Sequence, residues 1–319
     1  MYSISMRILS VIIPTNNRPN YLHKCLKSIL RQTTLPMEVI VIDTSSGIES
    51  KEIFEKLFKN RRSVKAYYIK KSDVGSSTAR NEGIHFAHSK YLVFLDDDCI
   101  PNKHWISEIY KAIRKYRNQV LFGGNKIFKS QNIYSIVADI RNQSGLYAHY
   151  DLDTKNFLIP KKIITKHRLY FDTRFDAFSA CEDTDLGYRL KMLGYTIRYY
   201  PKIAVRHDVI MTLSSLIKRD FQKGRARLYL NRKYPQKNDL RLLKFSSLNF
   251  FIFHWNKNNL SYEKKVEIIL LLCISSIIYR FGVMYEQSQF ITLLSRTFAD
   301  KILAKKSAPF SFGWKSFLK

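Results

Sequence analysis

Apolar positions fall into two rhythms along the first 125 residues, and their alternation predicts the fold. Residues 8–14 (ILSVIIP), 39–42, 64–69, 91–95 (YLVFL) and 120–122 are short, largely apolar or β-branched runs of strand length, and the purely apolar ones have the pattern of strands buried on both faces. Between them, Tyr21, Leu22, Cys25, Leu26, Ile29 and Leu30 recur at intervals of three and four, which gathers them on one helix face. A short helix is expected around residues 53–58 and another opened by Ser76, Ser77 and Thr78. Trp105, Ile106, Ile109, Tyr110 and Ile113 mark a fourth. Strand and helix in turn argue for an α/β fold, a mainly parallel sheet flanked by helices.

The rhythm is lost over residues 125–180, where Asn, Gln, Asp, Tyr and Lys mix with neither period, and an irregular, substrate-facing region is expected there. Order returns at residues 183–193, where Leu186, Leu190 and Leu193 share a face and Gly194 supplies a stop. Residues 196–200 then read as a strand. From Met211 the chain changes character: Lys218, Arg219, Lys223, Arg225, Arg227, Arg232 and Lys233 stand against Asp220 alone, interleaved with Phe221, Leu228 and Tyr229. Residues 268–278 are strongly apolar but fall short of the roughly 20 needed to span a bilayer, so a packed or interfacial helix is expected. The tail sets Phe310, Phe312, Trp314 and Phe317 among Lys315 and Lys319. Three segments follow, at 1–123, 124–210 and 211–319, the first two belonging to one domain and the last a helical, basic appendage.

With 45% apolar and 14% aromatic residues in 319, the chain can fill a sizeable core and is globular. Lys and Arg number 54 against 26 acids, a formal charge of +28, which attracts nucleic acid, anionic lipid or acidic substrates without choosing between them. Cys25, Cys99, Cys181 and Cys273 lie far apart with no CxxC pair, so neither a zinc site nor a disulfide framework is indicated, and a reducing cytoplasm fits. Arg7 precedes an apolar run, but Pro14 ends it too soon for a signal-peptide core.

Asp96, Asp97 and Asp98 follow the apolar run 91–95 directly. They therefore emerge together at the carboxyl end of a strand, where open α/β sheets bind ligands. Three adjacent like charges repel one another, and a divalent cation that also neutralises a diphosphate is the simplest reason to tolerate them. The alternative is a solvated acidic turn. In either case the triplet is expected to face solvent.

Four stretches in this order, SVIIPTNNRP, VIDTSSG, GSSTARNEGIHFA with LVFLDDDCIP, and RFDAFSACEDTDLGYRLKMLGY, resemble the inverting, nucleotide-sugar-dependent glycosyltransferases of family two, which have the GT-A (Rossmann-like) fold. The resemblance covers roughly residues 8–207. It implies that Pro14, Thr15, Asn17 and Arg18 shape the wall around a nucleobase and that Asp43 accepts a hydrogen bond from the base. It implies further that Arg80 with Asn81 lies beside the nucleotide and offsets its phosphate charge. In the family's DxD motif the first aspartate contacts ribose and the last binds the cation, so Asp98 goes to the metal, Asp96 to ribose or metal, and Asp97 is held in reserve. Mn²⁺ or Mg²⁺ is the implied ion.

The same resemblance makes Asp183 the base that takes the acceptor's proton on the face opposite the leaving diphosphate. Glu182 then orients the acceptor, and Asp185 is assigned to the exposed side of the helix. His207, in VRHD, matches a position where some relatives place a histidine near the metal. Cys99 and Cys181 are read as filler. A UDP-sugar is the donor implied, with GDP- and dTDP-sugars as alternatives, and the acceptor is a saccharide or a lipid-linked one, with an anionic membrane surface as a further partner. The rival readings are a metal-dependent nucleotidyltransferase, which lacks its Gly-rich, lysine-bearing loop in TNNRPN, and a nucleic-acid-binding protein drawn by the +28 charge.

Overall fold

The computed structural model describes residues 8–61, 63–116, 119–123, 126–128, 132–146, 152–207, 210–235 and 261–306. Strands β1 (Leu9–Thr15), β2 (Glu38–Asp43), β3 (Lys65–Lys70) and β4 (Tyr91–Leu95) alternate with helices α1 (Pro19–Leu30), α2 (Glu49–Phe58) and α3 (Ser76–Phe86). β5 (Cys99–Pro101), α4 (Trp105–Lys115), β6 (Val120–Gly123), β7 (Lys126–Phe128) and α5 (Ile133–Leu146) follow. Then come β8 (Asn156–Pro160), α6 (Lys161–His167), a 3₁₀ turn (Thr173–Ala177), α7 (Glu182–Met192), β9 (Ile197–Tyr200) and β10 (Val205–His207). Two further helices close the described chain, α8 (Leu213–Lys233) and α9 (Tyr262–Lys306).

The main sheet runs β3-β2-β1-β4-β8-β6-β9 and is parallel except at β8, which is antiparallel to both neighbours. Period-two alternation divides its side chains between two cores. Val11, Ile13, Val39, Val41 and Val93 meet Leu22, Leu26 and Ile29 of α1 and Trp105 and Ile109 of α4 on one face. Ile12, Ile40, Ile42, Leu92 and Phe94 meet Ala79 and Ile84 of α3 and Leu186 and Leu190 of α7 on the other. Each such side chain taken from water contributes roughly 1.5–3 kcal/mol.

Residues 125–180 are more ordered than their pattern suggests. β8 is too short and too uniformly apolar to show a period, yet all five of its residues are buried in mid-sheet. Met211 onward brings a second difference: α9 is one helix of 45 residues, of which residues 268–278 are only a part. Over Tyr262–Leu293 it is long and apolar enough to cross a membrane by length and composition, with 28% of an 18-residue apolar window within it buried. Arg280 does not interrupt it, since one cation on a helix with no proline leaves the hydrogen-bond ladder intact. The aromatic tail at 310–317 lies outside the described residues.

Candidate active site

Five segments meet beyond the carboxyl ends of β1, β2 and β4. The β1 loop turns through Asn17, whose φ of 52° is a left-handed conformation that asparagine tolerates. It is tied to the β2 loop: Ser45 Oγ accepts from the Asn17 amide at 2.7 Å, and Asn17 Oδ1 accepts from the Ser46 amide at 3.1 Å. Pro14 is half-buried opposite Ile42. Asp43 is wholly buried, and its carboxylate accepts from the Ser45 amide (2.8 Å), the Tyr68 hydroxyl and Lys70 Nζ (3.0 Å). Burial works to raise its pKa, but these donors hold it below the ordinary value. Asp43 thus anchors the loop that follows β2.

Two members of the acidic triplet do not face solvent, and Asp96 is half-buried. Asp97 and Asp98 are 4% and 6% exposed, because each has protein partners that replace water. Thr15 Oγ1 donates to Asp97 at 2.7 Å, and Arg18 reaches Asp98 at 2.9 Å and Asp97 at 3.5 Å. His207 arrives through register: β10 pairs antiparallel with β5 so that His207 lies opposite Cys99, and its Nε2 is 3.3 Å from Asp98 Oδ1. Burial and the Asp98 charge push Asp97 up; Asp98 resists the same burial because His207 and Arg18 hold it below the carboxylate range. Asp98, Cys99 and His207 form the one group among the described residues whose ligand atoms converge as a metal site would. Cys99 is a poor member of it, since burial and Asp98 keep its thiol protonated and a hard ion prefers oxygen and nitrogen.

Asp96 turns the other way. Its Oδ1 is 2.8 Å from Nη2 of Arg80, whose Nη1 is 2.9 Å from Glu182 at the start of α7. Arg80 is 4% exposed. Burial works against its charge, but Asp96 and Glu182 more than offset that and raise its pKa. Its Nε has no acceptor among the described residues. The guanidinium thus joins the two acidic motifs. Asn81 is a clamp: its amide exchanges two hydrogen bonds with the Phe171 backbone, at 2.8 and 2.9 Å.

The entrance to α7 is strained. Ser179 and Cys181 have φ of 50° and 68°, a cost of order 1–3 kcal/mol each that persists at sites where the surroundings dictate the backbone. The strain directs Glu182 inward and leaves Asp183 half-buried, with its carboxylate accepting from the Thr184 amide at 2.7 Å. Asp185, expected on the exposed side, is instead wholly buried. It accepts from Arg189 Nε (2.8 Å), Lys233 Nζ (2.5 Å) and the Tyr234 hydroxyl (2.8 Å). Lys233 and Tyr234 come from the end of α8, so helical spacing within α7 cannot reveal them.

Sequence reasoning also misses Asp176, though it lies inside RFDAFSACED. Its carboxylate caps α3 from another segment, accepting from the Ser77 amide at 2.6 Å and from Thr78 Oγ1 at 2.6 Å. Gly75 permits the approach, since a Cβ there would sit 2.4 Å from the Asp176 side chain.

With this geometry in place, comparison with known proteins gives the family. The model of glycosyl transferase family 2 matches residues 10–179, more than half of the chain. The chain belongs to glycosyl transferase family 2. Among curated relatives it is 26% identical over 209 residues to glycosyltransferase GlyA of Streptococcus pneumoniae, covering 61% of this chain and 29% of that protein. It is 30% identical over 154 residues to the GalNAc(5)-diNAcBac-PP-undecaprenol β-1,3-glucosyltransferase of Campylobacter jejuni, covering 48% of each. The chain thus spans less than half the length of these two relatives. Its fold is that of a GT-A glycosyltransferase: the mannosyltransferase of Pyrobaculum calidifontis, solved with GDP-mannose and Mn²⁺, superposes with a TM-score of 0.61 at 13% identity, over 88% of this chain and 87% of that one.

Proposed function

We propose that this glycosyltransferase moves a sugar, with inversion, from a nucleoside-diphosphate sugar, a UDP-sugar, to a hydroxyl of a saccharide or lipid-linked saccharide. Its setting is cell-surface polysaccharide or glycolipid synthesis, on the cytoplasmic side and peripheral to the inner face of the membrane. The observation that carries the reading is the Asp96–Arg80–Glu182 bridge: a buried cation that joins the end of β4 to the start of α7 makes donor-side and acceptor-side acids face one space.

In this reading Pro14, Thr15, Asn17 and Arg18 enclose the base above Asp43, and Asn81 holds α3 against the Phe171 segment. Asp96 meets the ribose. Asp183 accepts the proton of the acceptor hydroxyl as it attacks, and Glu182, held by Arg80, orients that acceptor. The donor set fits Mn²⁺ or Mg²⁺: a carboxylate oxygen of Asp98 and the ring nitrogen of His207, 3.3 Å apart, can turn to one ion, which Asp96 would join only by leaving Arg80. Bound there, the ion supplies Lewis-acid neutralisation of the leaving diphosphate.

The test separates binding from chemistry. Asp183→Asn is expected to keep its calorimetric affinity for UDP with Mn²⁺ while transfer falls by about 10² to 10⁴. Affinity that falls as far as turnover makes Asp183 a binding residue. A wild-type protein that turns over no nucleotide sugar in the presence of divalent ions refutes the reading as a whole.

A further inference from the structure

The long helix α9 has two apolar faces, and only one is used. Ile268, Leu271, Leu272 and Ser275 point inward and are buried against α5 and α8. On the opposite side of the helix, Leu270, Ile274, Ile277, Phe281, Met284 and Ile291 are between 46% and 64% exposed. Their steps of four, three and finally seven residues line them up in a stripe, about 30 Å long at 1.5 Å per residue. Between Glu267 and Glu286 the only charged residue is Arg280. A stripe of large side chains on this scale is unusual for a surface in contact only with water.

We infer that this outward face of α9 is a docking surface for an anionic lipid bilayer, on which the helix lies half-immersed without crossing it. Charge selects this occupant over a second copy of the chain. A second copy also carries +28 and is repelled, whereas an anionic surface is attracted. The sequence beyond Leu293 adds to that charge, with Arg296, Lys301, Lys305, Lys306, Lys315 and Lys319 against Asp300.

The inward face explains why the helix stays on the surface. Beneath it Asp220 is wholly buried, 3.1 Å from Arg219 and 3.4 Å from Arg141, and accepts from Ser275 of α9. α8 and α9 cross with backbones in contact, for a Cβ on Gly224 would lie 2.0 Å from the Tyr279 carbonyl and one on Gly282 2.1 Å from that of Phe221. Drawing α9 through a bilayer would strip this ion cluster of its cover, and a buried charge left without partners costs several kcal/mol.

Lipid binding is read without donor or acceptor, so its failure is distinct from failure of the glycosyl-transfer reading. Full-length protein is sedimented with vesicles of about 70:30 phosphatidylcholine to phosphatidylglycerol and with pure phosphatidylcholine. Binding to the anionic vesicles, weakened by salt, is expected. Ile277→Glu with Phe281→Glu should reduce it by about tenfold or more, with melting temperature and donor hydrolysis unchanged. Ile277→Ser with Phe281→Ser gives the same test without added charge. Absent binding at low salt, or equal binding to neutral vesicles, overturns the inference. So does a lipid-free dimer, seen by light scattering, that the double variant dissociates.

Discussion

Asp185→Ala offers the most direct measure of how α8 supports α7, the helix that carries the proposed base. The carboxylate is wholly buried and takes Lys233 and Tyr234 on one oxygen and Arg189 on the other. Removing it does not leave every partner bare: Lys233 keeps Asp172 at 2.7 Å and Arg189 keeps the Tyr170 carbonyl at 2.8 Å. The Lys233 and Arg189 side chains are also 20% and 22% exposed, so water reaches both. The loss should therefore sit at the low end of the range for breaking a buried pair, about 3 kcal/mol. At about 2 °C per kcal/mol for a chain of this size, that is a fall of about 6 °C in Tm. Scanning calorimetry reads the melt, and a donor-hydrolysis assay with UDP titration reads the site. Because Asp185 anchors the helix whose first turn carries Glu182 and Asp183, turnover should drop while UDP affinity holds. A melt within about 1 °C of wild type, or UDP affinity lost in step with turnover, refutes the reasoning.

Gly224→Ala places a methyl against the Tyr279 carbonyl and should cost about 1–3 kcal/mol by overpacking, seen as a lower denaturation midpoint. An unchanged midpoint means that the α8–α9 crossing is looser than described. Asp172 resists the burial that would raise its pKa, because Arg174 and Lys233 hold it well below the ordinary value. A depressed folded pKa gives stability that is complete above the unfolded value of about 3.9 and is lost as pH falls further. Asp172→Asn should accordingly flatten the dependence of Tm on pH below about 4; a slope there equal to wild type removes Asp172 from the acid response.

Much of the candidate site is legible in the sequence. DDD after an apolar strand, ED at the start of a helix, and the polar ends of β1 and β2 are local signals, because a strand end exposes whatever follows it. The directions of the side chains are not legible. The family resemblance sets Asp43 and Arg80 facing a ligand, yet both are enclosed by protein groups 2.8–3.0 Å away. Asp185 falls on the solvent side by spacing alone, because four-residue spacing within α7 says nothing of a lysine 48 positions on.

What the sequence by itself determined is the set of elements whose period is long enough to read: β1 to β4 with α1 to α4, and therefore the parallel half of the sheet and the place of the acids at its edge. Tertiary structure alone decided three things. β8 enters antiparallel between β4 and β6, an arrangement that one asparagine and four apolar residues do not encode. The resemblance puts His207 near the metal, but the route that brings it to Asp98, a β10–β5 pairing across 108 residues of chain, is set by the fold. Residues 268–278 became part of a 45-residue helix with one face buried and one bare. The physical reason is common to all three: periodicity reports which face of an element is apolar, whereas its partner is chosen by contacts between segments distant in the chain, and these form only when the fold closes.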